Sequence, residues 1–225
     1  MSLILQFNSD NFHQICDDLA SRDNDLRGIL KSYGYPPMWN RPNTFESLVH
    51  IILEQQVSLA SALASLNKLR ERLKIITPEN FVSLSDEELK ACYFSRQKTL
   101  YVRGLAQEMI DERLNLDALA LLSDDAVRWK LTSLKGIGNW TADIYLLFVL
   151  QRTNIFPVGD LAAVNALKQV KKLASASKDE VLETVANWHP YKSIATMILW
   201  HHYLSASKKK PYALNDSTVS KTNII

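Results

Sequence analysis

Cysteine is scarce in this chain: Cys16 and Cys92 are the only two among 225 residues, and they lie far apart. They supply neither a disulfide framework nor a thiolate metal cluster, and they read as buried thiols of a reducing compartment. Glycine and proline are few, at six and seven, which disfavours a loop-rich or all-β architecture. No sign of charge dominates, since 26 Lys and Arg against 24 Asp and Glu leave a formal net charge of +2. A polyanionic partner would need a local positive face and backbone amides rather than a global field. Long hydrophobic runs are missing too. The longest, Ile144 to Leu150, falls far short of the about 20 residues that cross a bilayer. The start, Met1-Ser-Leu-Ile-Leu-Gln-Phe7, lacks the basic residue and apolar length of a secretory signal. A soluble, intracellular protein is the expectation.

What is present is helical. Hydrophobic residues make up 47% and charged residues 22%, a globular balance with enough chain for one large domain or two small ones. Phe45, Leu48, Val49, Ile52 and Leu53 recur at the spacing of one helix face, and Leu59, Leu63, Leu66, Leu69 and Leu73 continue it. Thr77-Pro78 places a cap before a first-turn proline, Ser85…Glu88 and Ser177…Glu180 are capping boxes, and Ser123-Asp-Asp opens another helix. No stretch alternates as a strand would. These signals predict an all-α fold of about ten helices, followed beyond Leu204 by a solvated, partly ordered tail, 205–225, that begins Ser-Ala-Ser-Lys-Lys-Lys.

Chemistry concentrates in Ser133-Leu-Lys-Gly-Ile-Gly-Asn-Trp-Thr-Ala142, between a helical pattern over 124–133 and another over 140–150. Two glycines around one isoleucine allow a tight hairpin whose backbone can adopt positive φ and approach a ligand. Ile137 would anchor the turn. The amides around Gly136, Gly138 and Trp140 would open a helix, where unpaired N–H groups favour an anion such as phosphate. Gly-x-Gly alone fits a plain helix–helix turn with no ligand better. Further on, Phe156-Pro-Val-Gly-Asp-Leu161 presents Asp160, which fits both an N-cap and a reactive carboxylate.

Together these segments resemble the helix-hairpin-helix DNA glycosylase superfamily, in which an aspartate follows the hairpin and a glycine/proline-rich loop. Ile51-Ile-Leu-Glu-Gln-Gln-Val-Ser58, Phe94-Ser-Arg-Gln-Lys98 with Val102-Arg-Gly-Leu-Ala106, and Trp188-His-Pro-Tyr-Lys-Ser193 with Leu199-Trp200 are similar to the other recurring blocks of its alkylbase branch, the DNA-3-methyladenine glycosylase II type. The resemblance covers residues from about 45 to 204. It implies two helical lobes, 42–150 ending in the hairpin and 1–41 joined to 151–204, with the cleft between them. It further implies that this chain starts too close to its first block to hold the N-terminal β-domain of larger relatives.

The resemblance also assigns roles. Asp160 would be catalytic, stabilising oxocarbenium character at C1′ and orienting the attacking water. Trp140 and Trp200 would wall the pocket for a flipped cationic base, with Tyr191 a weaker candidate that core packing suits better. Tyr145, Trp188 and Trp39 read as core, and Asp143 as a partner in a salt bridge or a buried hydrogen bond. Gln56 would plug the gap left in the duplex, although Gln55 and Gln56 alone fit ordinary capping. Ser95 and Arg96 would wedge the opposite strand, while Ser58, Lys135, Gly136, Gly138 and Thr141 would contact DNA. The main-chain carbonyls of Thr132, Leu134 and Ile137 would hold a structural Na+ or K+. Relatives that also cut the strand carry lysine where Trp140 stands, and the iron–sulfur branch carries four cysteines. The expectation is a monomeric, monofunctional enzyme without required cofactor, acting on double-stranded DNA with alkylated bases, in the cytoplasm and nucleoid of a bacterium or the nucleus of a eukaryote. A glycosylase for another lesion, or a noncatalytic hairpin module, remains the alternative.

Overall fold

The computed structural model describes residues 6–206. The tail expected at 205–225 therefore lies outside the described residues, except that Ser205 and Ala206 belong to the last helix. Among the described residues, regular structure is thirteen α-helices, one π-helical turn and a single isolated bridge between Gln6 and Arg152.

An N-terminal pair, α1 (Phe12–Arg22) and α2 (Asn24–Tyr33), leads into α3 (Phe45–Glu54) and α4 (Leu59–Leu73). Short helices follow, α5 (Pro78–Val82) and α6 (Asp86–Ala91), then α7 (Arg96–Ile110) and α8 (Leu116–Ala120). The hairpin joins α9 (Asp124–Thr132) to α10 (Asn139–Ile144), which runs on as the π-helical turn Tyr145–Val149. The chain ends in α11 (Leu161–Val170), α12 (Lys178–Ala186) and α13 (Lys192–Ala206). The expected ten helices undercount because pieces of five or six residues, such as α8 and α10, are too short to display a period.

Capping sets the boundaries. Thr77, Ser85, Ser123 and Ser177 each accept from an amide of the first turn, and Ser85 and Ser177 complete their boxes with Glu88 and Glu180. The buried stripe of α4 runs through Ala62, Ser65, Leu66 and Leu69. Leu59, expected in that stripe, is instead 37% exposed, because it begins the helix where the chain leaves the core. Cys16 and Cys92 are buried free thiols. Burial, followed by the nearby charge of Asp17, pushes Cys16 up to about 12.

Two helix sets result. α3, α4, α5 and α7 pack together, and α10 packs on α9 and α3. In the other set α1 and α2 return to pack on α13 with α11, so the two ends of the chain share one core. Phe7 donates its amide to Gln151 at 2.9 Å, which ties this N-terminal segment to the C-terminal third.

Asp23 is the polar hub of the second set. Its carboxylate caps α2 through Asp25 and Leu26, and it accepts from Lys171 Nζ at 2.6 Å and Trp188 Nε1 at 2.7 Å. Burial pushes this carboxyl up, but the bonds from Lys171, Trp188 and Leu26 outweigh it and hold Asp23 below its usual value of 3.8. A lowered folded value means stabilisation that is complete above the unfolded value and lost as pH falls through the folded one. Asp23→Asn should cost about 2–4 kcal/mol at neutral pH. In urea titrations the gap from wild type should narrow below pH 3.8, whereas a gap that stays constant with pH would contradict this role.

Candidate active site

Three turns converge at the junction of the two helix sets: the α3–α4 turn, the α9–α10 hairpin and the loop before α11. Each is shaped by its residues. In the hairpin Ile137 is 5% exposed and anchors the turn, donating its amide to Leu134 O at 3.1 Å. Gly136 has φ +89, and a Cβ there would lie 2.0 Å from Cγ of Tyr101. Glycine is therefore required twice, for the backbone and for the tyrosine ring beneath it. Gly138 differs: φ is −98 and extended, and it serves as the N-cap of α10 without a side-chain cap.

The α3–α4 turn is held to the hairpin by Gln55. Its Nε2 donates to Gly136 O at 2.9 Å and to Thr141 Oγ1 at 3.0 Å. Lys98 Nζ donates to Leu53 O at 2.5 Å from the other side. Burial lowers the pKa of Lys98, partly offset by the charge of Glu54. Between these two braces Gln56 sits exposed at φ 56, a left-handed conformation that costs a glutamine free energy and that the turn enforces.

The loop before α11 is fastened to both helix sets. Ser193 Oγ donates to Arg152 O at 2.5 Å and accepts from Ile155 N at 2.9 Å. Arg152, 1% exposed, sends Nη2 to the carbonyls of Ala120 and Leu122. A turn closed by Asp160 N to Pro157 O at 2.8 Å then delivers Asp160 to the start of α11.

Every oxygen of the Asp160 carboxylate is directed. Oδ1 accepts from Trp200 Nε1 at 3.0 Å and from Ala163 N at 2.8 Å, and Oδ2 accepts from Trp140 Nε1 at 3.0 Å. Asp160 is thus the helix cap and the partner of two indoles at once. Among the described residues no Lys, Arg or His pairs with it. The neighbouring acids differ: Glu54 is forked by Arg41 at 2.6 and 3.0 Å, and Asp143 is paired with Arg128 at 2.7 Å. Burial raises Asp143, and Arg128 opposes that shift.

Asp160 and Trp140 stand where two cavities meet. Outside is an open groove of about 780 Å³, reaching from Gln56 and Ser95 along Gly136 and Gly138. Inside is a narrower cavity of about 240 Å³ walled by Trp39, Trp140, Phe148 and Trp200, with Glu54 also on its wall. Trp200 packs edge-on to Trp39 and tilted against Phe148, at 6.3 and 5.4 Å between ring centroids.

The residues expected from the sequence are only partly assembled here. Asp160, Trp140, Trp200, Gln56, Ser95, Gly136 and Gly138 line the two cavities. Arg96 and Lys135 are exposed near the groove, and Ser58 is exposed while capping α4. Tyr191, the weaker candidate wall, lines neither cavity and packs against the core. It precedes α13 while Trp200 lies nine residues on, about 13 Å along the axis, and its ring instead lies over Arg22. Thr141 also lines the groove, though it is 2% exposed and its hydroxyl is engaged by Gln55. Tyr145 is core as expected, donating its hydroxyl to Asn43 at 2.6 Å, and so is Trp188. Trp39 is buried yet also reaches the cavity. Sequence reasoning missed Glu54, Phe148, Lys98 and Tyr101, whose roles depend on three-dimensional neighbours that no local motif marks. Among the described residues no three His, Cys, Asp or Glu side chains gather as a metal site, and no helix is long and apolar enough to cross a membrane.

Fold and site together define an all-helical protein with a hairpin beside a carboxylate clamped by two indoles. Residues 49–190 match the HhH-GPD superfamily of base excision DNA repair proteins, and the chain belongs to that superfamily. A Bacillus subtilis relative named DNA-3-methyladenine glycosylase is 27% identical over 172 residues, 71% of this chain but only 57% of the relative. DNA-3-methyladenine glycosylase 1 of Schizosaccharomyces pombe is 26% identical over 201 residues, covering 86% of this chain and 88% of that protein. A solved structure of a fission-yeast 3-methyladenine DNA glycosylase in complex with abasic DNA superposes with a TM-score of 0.75 at 25% identity, over 88% of this chain and 98% of that one.

The two hairpin glycines should respond differently to substitution. Gly136→Ala must displace Tyr101 and hold alanine at positive φ, so it should cost about 2 kcal/mol or more. Gly138→Ala meets nothing within 4 Å and should stay within about 0.5 kcal/mol of wild type. Equal losses in thermal unfolding of the DNA-free proteins would refute this account of the hairpin.

Proposed function

We propose that this protein is a monofunctional DNA glycosylase that removes N-alkylated purines, such as 3-methyladenine and 7-methylguanine, from duplex DNA and leaves an abasic site. One observation carries the reading: Asp160, held by neutral donors only, stands between a groove open to DNA and an aromatic cavity. The family and the names of the relatives support it.

The outer groove takes the phosphate backbone. Amides at the start of α10, with Lys135 and Arg96 nearby, supply local positive potential that the net charge does not. The carbonyls of Thr132, Leu134 and Ile137 are the proposed holders of an alkali ion that would add to it. Leu134 O accepts one amide and keeps a second lone pair, which suits that role. Gln56, exposed and poised at the turn, fills the space vacated by the extruded nucleotide. Removing a base from the stack costs a few kcal/mol, and the aromatic walls offset part of this by stacking on a cationic ring.

Asp160 then acts on the sugar. As the bond from C1′ to the base nitrogen breaks, its electron pair leaves with the base and positive charge develops on the sugar. The carboxylate stabilises that charge and orients the water that adds to C1′. The base is already cationic, so it departs without a strong general acid. Trp140 has no amine to form a Schiff base, so the reaction ends at the abasic site. The boundary proposed between the lobes lies near residues 42 and 150, and one chain suffices for one lesion.

Asp160→Asn tests the chemistry cleanly, since asparagine also caps a helix. Release of 3-methyladenine and 7-methylguanine should fall by about 10²-fold or more, with binding to methylated duplex retained. Strand breaks should arise only after alkali treatment. Undiminished release by the variant would remove Asp160 from the chemistry, and absence of release by wild type would leave a DNA-binding module or another lesion as the function.

A further inference from the structure

We propose that Glu54 is a specificity-determining residue that accepts a hydrogen bond from the N–H edge of the extruded base. The inference rests on the glycosylase reading above and goes beyond it by naming which part of the base is read, and by what.

Glu54 ends α3, and its side chain is 4% exposed. It is the charged group on the cavity wall besides Asp160. A carboxylate is an unusual lining for an otherwise apolar, aromatic pocket, because burying it costs free energy unless it is paired. Here it is paired, and rigidly. Arg41 holds both oxygens in a fork, its guanidinium lies 5.5 Å from the Phe148 ring centroid, and its own amide donates to Phe148 O at 2.9 Å. His50 Nε2 stands 3.5 Å from Oε1. Arg41 is not among the residues that line the cavity, whereas Glu54 is. The fork uses one lone pair on each oxygen and leaves further acceptor capacity.

A purine stacked between the aromatic walls therefore meets a fixed acceptor at its edge. Amino and ring N–H groups of an alkylated, cationic purine are strengthened donors, and their bond to a carboxylate is charge-assisted. A base whose edge carries no N–H donor leaves the carboxylate desolvated without compensation, and rejection by an unpaired buried group is strong. The ligand class is thus a cationic purine that keeps N–H donors, as 3-methyladenine and 7-methylguanine do. An etheno-bridged adenine, which lacks them, is disfavoured.

Glu54→Gln must direct its carbonyl at Arg41 and turn its amide N–H₂ toward the cavity, which replaces the acceptor with a donor. The experiment compares wild type, Glu54→Gln and the shortened Glu54→Asp in single-turnover release of 7-methylguanine and of ethenoadenine from duplex DNA. Binding of free 3-methyladenine and free ethenoadenine is followed in parallel by tryptophan fluorescence, a readout that needs no turnover. Affinity for duplex with a stable abasic analogue reports folding and DNA grip. The expected result is a ten- to hundredfold loss on the methylated purine, less than a threefold change on the etheno base, and unchanged abasic-site binding. An equal loss on both bases, together with weakened abasic-site binding, would make Glu54 a structural partner of Arg41 and overturn the proposal. No loss on either base in release or fluorescence would overturn it as well. A wild-type protein that binds abasic duplex but releases no base would instead refute the glycosylase reading, and the fluorescence arm would still report on Glu54 separately.

Discussion

A carboxylate that must stabilise positive charge on a substrate has to be held still without being neutralised by the protein. Asp160 meets both demands because its partners are dipoles: two indole N–H groups and the backbone amide of Ala163. These bonds fix both oxygens but bring no full positive charge. The nearby acids show the other solution. Glu54 and Asp143 are each paired with an arginine. Of the three, only Asp160 is held by neutral donors alone.

That arrangement depends on features well away from the carboxylate. The loop that delivers Asp160 is bonded to Ser193 of α13 and, through Arg152, to carbonyls beside α8. The α3–α4 turn reaches the hairpin through Gln55, whose amide grips Gly136 and Thr141 together. Hairpin, α3–α4 turn and carboxylate are therefore parts of one bonded frame. Proximity of this kind is useful only when the pieces cannot drift, because small displacements at a reacting centre are costly in rate.

Much of the fold is legible in the sequence. The caps at Thr77, Ser85, Ser123 and Ser177 lie there as local chemistry, and local chemistry is what sets helix ends. Asp160, Trp140 and Trp200 are legible only through family resemblance, since a Gly-Asp before an apolar run says "cap" and no more. Tyr191 shows where pattern fails: it is near Trp200 in sequence, but a rigid helix separates the two. Glu54 shows a different limit. It sits inside the Leu-Glu-Gln-Gln block as one more helical glutamate, and only the fork from Arg41 and the aromatic walls give it a role. Such roles arise from long-range neighbours, which periodicity does not encode.

The charge logic of the site also governs how the products part from it. In the proposed reaction the cationic base is attracted while its positive charge lasts, by the faces of Trp140 and Trp200 and by the acidic Glu54. Cleavage sends the glycosidic electron pair onto the base and cancels that charge. The attraction therefore weakens at the moment the product forms, while the sugar carries positive charge only in transit past Asp160. A cavity lined by aromatic faces and two acidic residues favours what is most positively charged, which in the proposed reaction is the substrate and its transition state rather than either product. The near-zero net charge of the chain is consistent with this: selectivity rests on a few oriented groups inside the cleft, and a strong global field would not sharpen it.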